Sequence, residues 1–248
     1  MSSSSTLVRS EVRLNVIRLL AFSMLAILPA TSGAQQRPPI AEQVAKTYGL
    51  DSFGQIEAIR YTWNAGDGKI VRVWEWSPKT DTVSYEGKDK EGKPVKASYK
   101  RSQISSQSDA IKEIDQEFAN DQYWLLLPLH VVWDGANVTD EGTQKLPLGN
   151  GSAERVMVKY PSEGGYQPGD TWELYVGPDH RIEQIVYRRG APNPPPHLVM
   201  ATWEGQKKAG PLLISTDHHG TRDGNPLHIS FLDVSVKLTG SEKWINAQ

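Results

Sequence analysis

The spacing of apolar and polar residues changes several times along the chain, and each change marks an element. Arg9, Arg13 and Arg18 lead into residues 19–28, where Ser23 is the polar exception, and residues 29–34 are small or turn-forming. A basic segment, a short apolar segment and a small-residue stretch, in that order, predict a secretory signal peptide cleaved after Ala34. Such an apolar run reaches about 15 Å as a helix, half of a bilayer core, so a membrane-spanning anchor is the weaker reading. Residues 40–48 set Ile40, Ala41, Val44, Ala45 and Tyr48 at helical spacing before Gly49, which predicts a short helix with one buried stripe. Residues 56–63, 70–76 and 82–85 are rich in β-branched and aromatic side chains and are separated by Gly-, Asn-, Asp- and Pro-bearing joints, the pattern of an antiparallel meander.

Ile111, Ile114 and Phe118 return to helical spacing, predicting a second amphipathic helix over residues 109–119 with Ser106 or Ser108 as its cap. It leads into residues 123–128, the most apolar segment after the leader. Strand patterns then recur at 155–160, 170–176, 181–188, 198–204, 211–215 and 228–238. The four prolines within 190–196 cannot donate to a ladder and predict a sheet interruption or an edge crossing. In the last strand Ile229, Phe231, Asp233, Ser235 and Lys237 oppose His228, Ser230, Leu232, Val234, Val236 and Leu238, one face apolar and the other turning polar. Strands with short connections and few helices predict an α+β fold, an antiparallel sheet backed by helices in a single domain of residues 35–248.

Composition narrows the location and the partners. The 248 residues carry 27 Lys and Arg against 29 Asp and Glu, a formal charge of −2 without a basic run, so nucleic acid is excluded as an expected partner. Loss of the leader removes three Arg and one Glu and moves the charge to −4. The absence of cysteine excludes disulfides, thiolate metal sites, a cysteine nucleophile and a lipid-bearing cysteine. An exported chain of this kind fits a bacterial periplasm, soluble, monomeric and without a stable membrane anchor once cleaved. The 8 Trp and 9 Tyr outnumber the 4 Phe, so the aromatic surface is mostly of the kind with an apolar body and a polar tip.

Three short segments resemble the LolA/LolB-like superfamily of bacterial envelope proteins. Residues 170–182, Asp-Thr-Trp-Glu-Leu-Tyr-Val-Gly-Pro-Asp-His-Arg-Ile, are similar to the strand, turn and return strand typical of that superfamily, with Gly177 and His180 departing from its turn residues. Residues 74–81 resemble the earlier turn of the same kind, and residues 118–128 resemble a segment of an uncharacterised branch. The resemblance implies a strongly curved antiparallel sheet, an incomplete β-barrel, with a few helices packed on its concave side. It also implies a cavity between sheet and helices that holds acyl chains or another hydrophobic or amphiphilic ligand.

Trp74 and Trp76 lie two residues apart and share a strand face, and Trp172 can share one with Leu174. With Phe118, Trp124 and Leu126 from the helical insert they are the candidate wall of that cavity; the alternative is that all seven simply fill the core. No catalytic motif, cofactor-binding motif or metal-binding motif is assigned, and non-catalytic binding is expected. The competing enzymatic reading is a metal-dependent envelope hydrolase built on His218 and His219, within Asp217–Asp223 and with His228 nearby. Adjacent histidines on an extended backbone point to opposite faces, so a polar turn between strands is the expectation for residues 217–223. A third reading is a structural or adaptor module that binds an envelope protein partner through its sheet edge.

Overall fold

The computed structural model describes residues 37–165, 167–190 and 197–248; the leader expected at 1–34 and most of the proline run lie outside them. The elements are α1 (Pro39–Thr47), β1 (Ile56–Ala65), β2 (Ile70–Ser77), β3 (Thr82–Lys88), β4 (Pro94–Lys100), α2 (Asp109–Trp133), β5 (Asn137–Lys145), β6 (Ser152–Lys159), β7 (Thr171–Val176), β8 (Ile182–Arg188), β9 (Leu198–Thr202), β10 (Lys207–Ala209), β11 (Leu212–Ile214), β12 (Asp217–Arg222), β13 (Asn225–Leu238) and β14 (Trp244–Asn246). The principal sheet runs β4-β3-β2-β1-β13-β12-β9-β8-β7-β6-β5, with β14 added on β13 and β10-β11 forming a separate hairpin. Every neighbour pair is antiparallel and the sheet stays open, so the molecule is a curved antiparallel sheet with a few helices.

The long helix α2 explains why residues 123–128 lack a stripe. Ser108 caps it by accepting from the Ile111 amide, as the sequence predicts, but the helix continues well past Ala119, to Trp133. Its first half shows one apolar face, Ile111, Ile114 and Phe118, whereas every residue from Asp121 to Val131 is buried. A helix enclosed on all sides carries no amphipathic period, which hides it from a pattern search. Pro128 lacks the amide that would bond Trp124, and the backbone leaves helical geometry at Leu126 (φ −120°, ψ 18°). Helix α1 packs on α2 through the predicted stripe, of which Ala41, Val44 and Ala45 are buried.

The final strand corrects the simple alternation. Ile229 and Phe231 are buried, Leu232 and Asp233 are exposed, and burial resumes at Val234 and Val236. Asp233 has φ 53°, and the pairing with β1 slips between Arg60 and Thr62, the signature of a bulge that moves the apolar set from one phase to the other. Residues 217–223, expected as a polar turn, instead contribute strand β12, paired on both sides. Gly220 makes that possible: a Cβ there would lie 1.8 Å from the Met200 carbonyl oxygen of β9. The outer strands β4 and β5 leave unpaired backbone edges, which Pro94, Lys96 and Lys100 on one side and a bulge between Asp140 and Thr143 on the other make poor templates for strand addition.

Candidate functional site

A groove of about 620 Å³ lies between the first half of α2 and the loop ends of β2, β3 and β4. Its apolar lining comes from Ile70, Val71, Val95, Ala110 and Ile114. Ile70 and Val71 open strand β2 and are 49% and 45% exposed, an apolar pair that the sheet does not cover. Charged side chains stand around this floor: Lys69, Lys88 and Lys90 among the cations, with Lys90 paired to Glu113 at 3.0 Å. An apolar floor with a charged rim suits a ligand that has an apolar body and a polar end.

Beneath the groove a buried ion pair fixes the sheet to the helix. Arg72 donates from Nε and a terminal nitrogen to the two carboxylate oxygens of Asp121, at 2.7 and 2.6 Å. Trp74 Nε1 adds a third bond at 2.9 Å and Asn120 a fourth at 3.0 Å. Burial nevertheless pushes the Asp121 carboxyl up, against the pull of Arg72, and burial likewise raises Glu117 at the groove wall. Arg72, also 3.5 Å from Glu117, is held charged by Asp121 although its own burial opposes the charge.

The seven aromatic and aliphatic residues singled out in the sequence are packed in or against the core rather than in the groove lining. Trp74, Phe118, Trp124, Leu126, Trp172 and Leu174 belong to the buried core, and Trp76 is half-buried against it. Phe118 lies between the two strand tryptophans, its ring centroid 5.4 Å from Trp74 and 6.0 Å from Trp76. Trp124 meets Trp172 at 6.0 Å and Trp203 at 5.9 Å, so the structure collects the set into two adjoining groups along α2. They line neither the groove nor the second pocket described next. Trp74 is joined to the groove-lining Arg72 through Asp121, which it helps to orient. Sequence reasoning missed the groove itself; its available signal was the uninterrupted Ile70-Val71 pair at a strand start beside a lysine.

The second pocket, about 310 Å³, opens beside the end of α2 and is lined by Tyr123, Asp134, Tyr160, Pro161 and Glu163 with adjoining glycines. One oxygen of Asp134 accepts from the Tyr123 hydroxyl, from Tyr160 at 3.1 Å and from His130 Nδ1 at 3.1 Å. Burial works to raise this carboxyl, but the three donors prevail and hold it below the usual carboxylate range. The same contacts, with burial foremost, push both tyrosines up. These phenols therefore remain protonated and serve as donors to the Asp134 carboxylate.

The histidines of residues 217–223 separate. His218 faces inward, fully buried against Trp124, Trp203 and Phe231; its Nδ1 donates to the Thr202 carbonyl, and Nε2 has no partner among the described residues. Burial lowers it to about 4. His219 and Asp217 point to the opposite face, where His228 of β13 stands directly across from His219. His219 Nε2 and His228 Nε2 approach the two oxygens of Asp217 at 3.1 and 2.9 Å, and their rings stack at 4.1 Å. His228 Nδ1 lies 2.7 Å from Asp67, and these hydrogen bonds, Asp67 foremost, raise His228. Asp223 is not in the group; it binds His197 at 2.7 Å. The structure thus joins His219 to His228 and Asp217, and divides it from His218.

No protein-family model matches the chain, and no curated protein matches it. Among solved structures it is similar to a DUF1329 family protein from Desulfovibrio piger, at 11% identity and a TM-score of 0.40, over 82% of this chain and 94% of that one.

Proposed function

We propose that the chain is an exported periplasmic protein of LolA-like type that binds a lipid or another amphiphile without altering it, and that the ligand seats in the groove between α2 and strands β2 to β4. The observation that carries this reading is the groove's composition: exposed Ile70 and Val71 with Val95 and Ile114 as an apolar bed, and lysines at its rim. Its volume lies in the range of small-molecule sites, and each methylene removed from water there contributes about 0.8 kcal/mol. Lys69, Lys88 and Lys90 share the rim with Asp89, Glu91 and Glu113, a mixed charge that suits a polar head able to meet both signs.

Native mass spectrometry of protein recovered from the envelope fraction tests this directly. The mature chain is expected to begin at Gln35 and to take up palmitate or a lysophospholipid at one equivalent. Val71→Asp and Ile114→Asp place a charge in the apolar bed and are expected to weaken uptake at least about tenfold, the loss of about 1.4 kcal/mol. Absence of uptake by the wild-type chain, or uptake indifferent to both substitutions, overturns the assignment.

A further inference from the structure

On the opposite face of the sheet from the core, the geometry points to a divalent-metal site formed by His219, His228 and Asp217, with Asp67 orienting His228. The class of metal it suits is a borderline first-row cation, zinc foremost, because the donors are two imidazoles and a carboxylate without a thiolate.

The site follows from the strand register. Asp217 and His219 are two apart on β12 and so share a face, and His228 on β13 pairs directly with His219. One ligand atom from each of the three lies within 4.8 Å of the others. Both Nε2 atoms are directed at one carboxylate, so the three donors converge rather than fan into solvent. His228 is fixed from behind: its Nδ1, 2.7 Å from Asp67, donates to that carboxylate, which leaves Nε2, aimed at Asp217, as the atom that would ligate. A carboxylate behind a histidine in this way sets its tautomer and ring orientation in metal sites. Both nitrogens of His228 face carboxylate oxygens, so the position at Nε2 calls for a positive charge, supplied by a proton or by a metal ion.

A second observation lies in the same row of the sheet. Asn64 and Asp217 both pair with Ser230, from opposite sides, and Asn64 Nδ2 donates to the Ser230 hydroxyl at 3.0 Å. The Asn64 Oδ1 is buried and without a hydrogen-bond partner among the described residues, an unmet acceptor in the row that leads to Asp217. His219 is the most exposed of the three ligands, its side chain 53% accessible, so the face of the site toward solvent stays open to water or to an oxygen-bearing ligand. The register that forms this group excludes His218, the residue that a reading of the adjacent pair would have used.

Isothermal titration of the full chain with zinc chloride tests the assignment, together with cobalt substitution read by visible absorption. One equivalent of zinc is expected to bind, and cobalt is expected to give ligand-field bands in the wild-type chain. His219→Ala and His228→Ala should abolish the one-equivalent event, and Asp67→Asn, which keeps the side chain's shape, should weaken it by about ten- to a hundredfold. His197→Ala, in a separate His–Asp pair, should leave it unchanged. A wild-type chain that binds neither metal overturns the site, as does binding that survives both His219→Ala and His228→Ala. Cobalt bands in the wild-type chain hold the test even where an alanine variant fails to fold.

Discussion

Separating Arg72 from Asp121 provides a direct measure of how the sheet is fastened to its helix. Asp121 is fully buried and accepts four hydrogen bonds, two of them from Arg72, whose side chain is only 13% exposed. Arg72→Met leaves a carboxylate in the interior with only neutral donors, and Asp121→Leu leaves a guanidinium facing apolar carbon and Glu117. Arg72→Met is expected to cost about 3–5 kcal/mol, since an uncompensated buried charge is left behind, and Asp121→Leu somewhat less, since Glu117 still faces the guanidinium. The double variant Arg72→Met, Asp121→Leu removes both charges and should cost far less than the sum, with a coupling of about 3 kcal/mol or more. Urea unfolding followed by tryptophan fluorescence and far-ultraviolet dichroism reads all four species. With a slope of about 2 kcal/mol per molar, a 4 kcal/mol loss lowers the midpoint by about 2 M. Single variants that each lose under about 1 kcal/mol, or a double variant whose loss equals the sum, would refute the view that this pair is a desolvated, mutually dependent unit.

Two further perturbations address the other side of the fold. Because burial lowers His218 to about 4, the unfolded chain binds a proton near pH 6.5 that the folded chain refuses; stability should fall as pH drops from about 6.5 to about 4, by on the order of 3 kcal/mol. That slope should be present in wild type and missing from His218→Phe in unfolding measured across this range, whereas an identical slope in both would refute it. Gly220→Ala should destabilise by about 3 kcal/mol or more, because its Cβ would fall 1.8 Å from the Met200 carbonyl oxygen and β12 must separate from β9; thermal unfolding checks this, and a neutral effect would contradict the close approach.

Where burial repeats with a regular period, the sequence reading and the structure agree. The α1 stripe, the Ser108 cap and the meander from Ile56 onward follow from local spacing alone. The misses share a physical cause, which is that tertiary surroundings replace the local signal. Residues 121–131 are covered on every side, so no helical stripe survives to be counted. Asp233 inverts the phase of β13 through one positive φ, which an alternation template cannot register. Strand β12 has a buried histidine and a glycine where a strand pattern expects apolar side chains, and only the neighbouring β9 backbone explains the glycine. The groove and the His219–His228 pair depend on contacts between residues far apart in sequence, from turns and strands whose pairing no short window contains.

The order of strands has a consequence for the time course of folding. One flank of the sheet, β1 to β4, is a continuous stretch of chain, and the other, β5 to β9, is nearly so, while the seam between the flanks pairs Ile59 with Val236 and Trp63 with Phe231. Neighbouring hairpins close short loops and assemble early; the central seam must bring together segments from near the two ends of the folded chain, the step with the largest entropic cost. The last strand to complete this seam is β13, whose residues follow almost the whole fold in the chain. A chain truncated before Asn225 would thus have to hold two half-sheets with their middle unpaired, and the most buried part of the finished sheet would be its most exposed edge until the end.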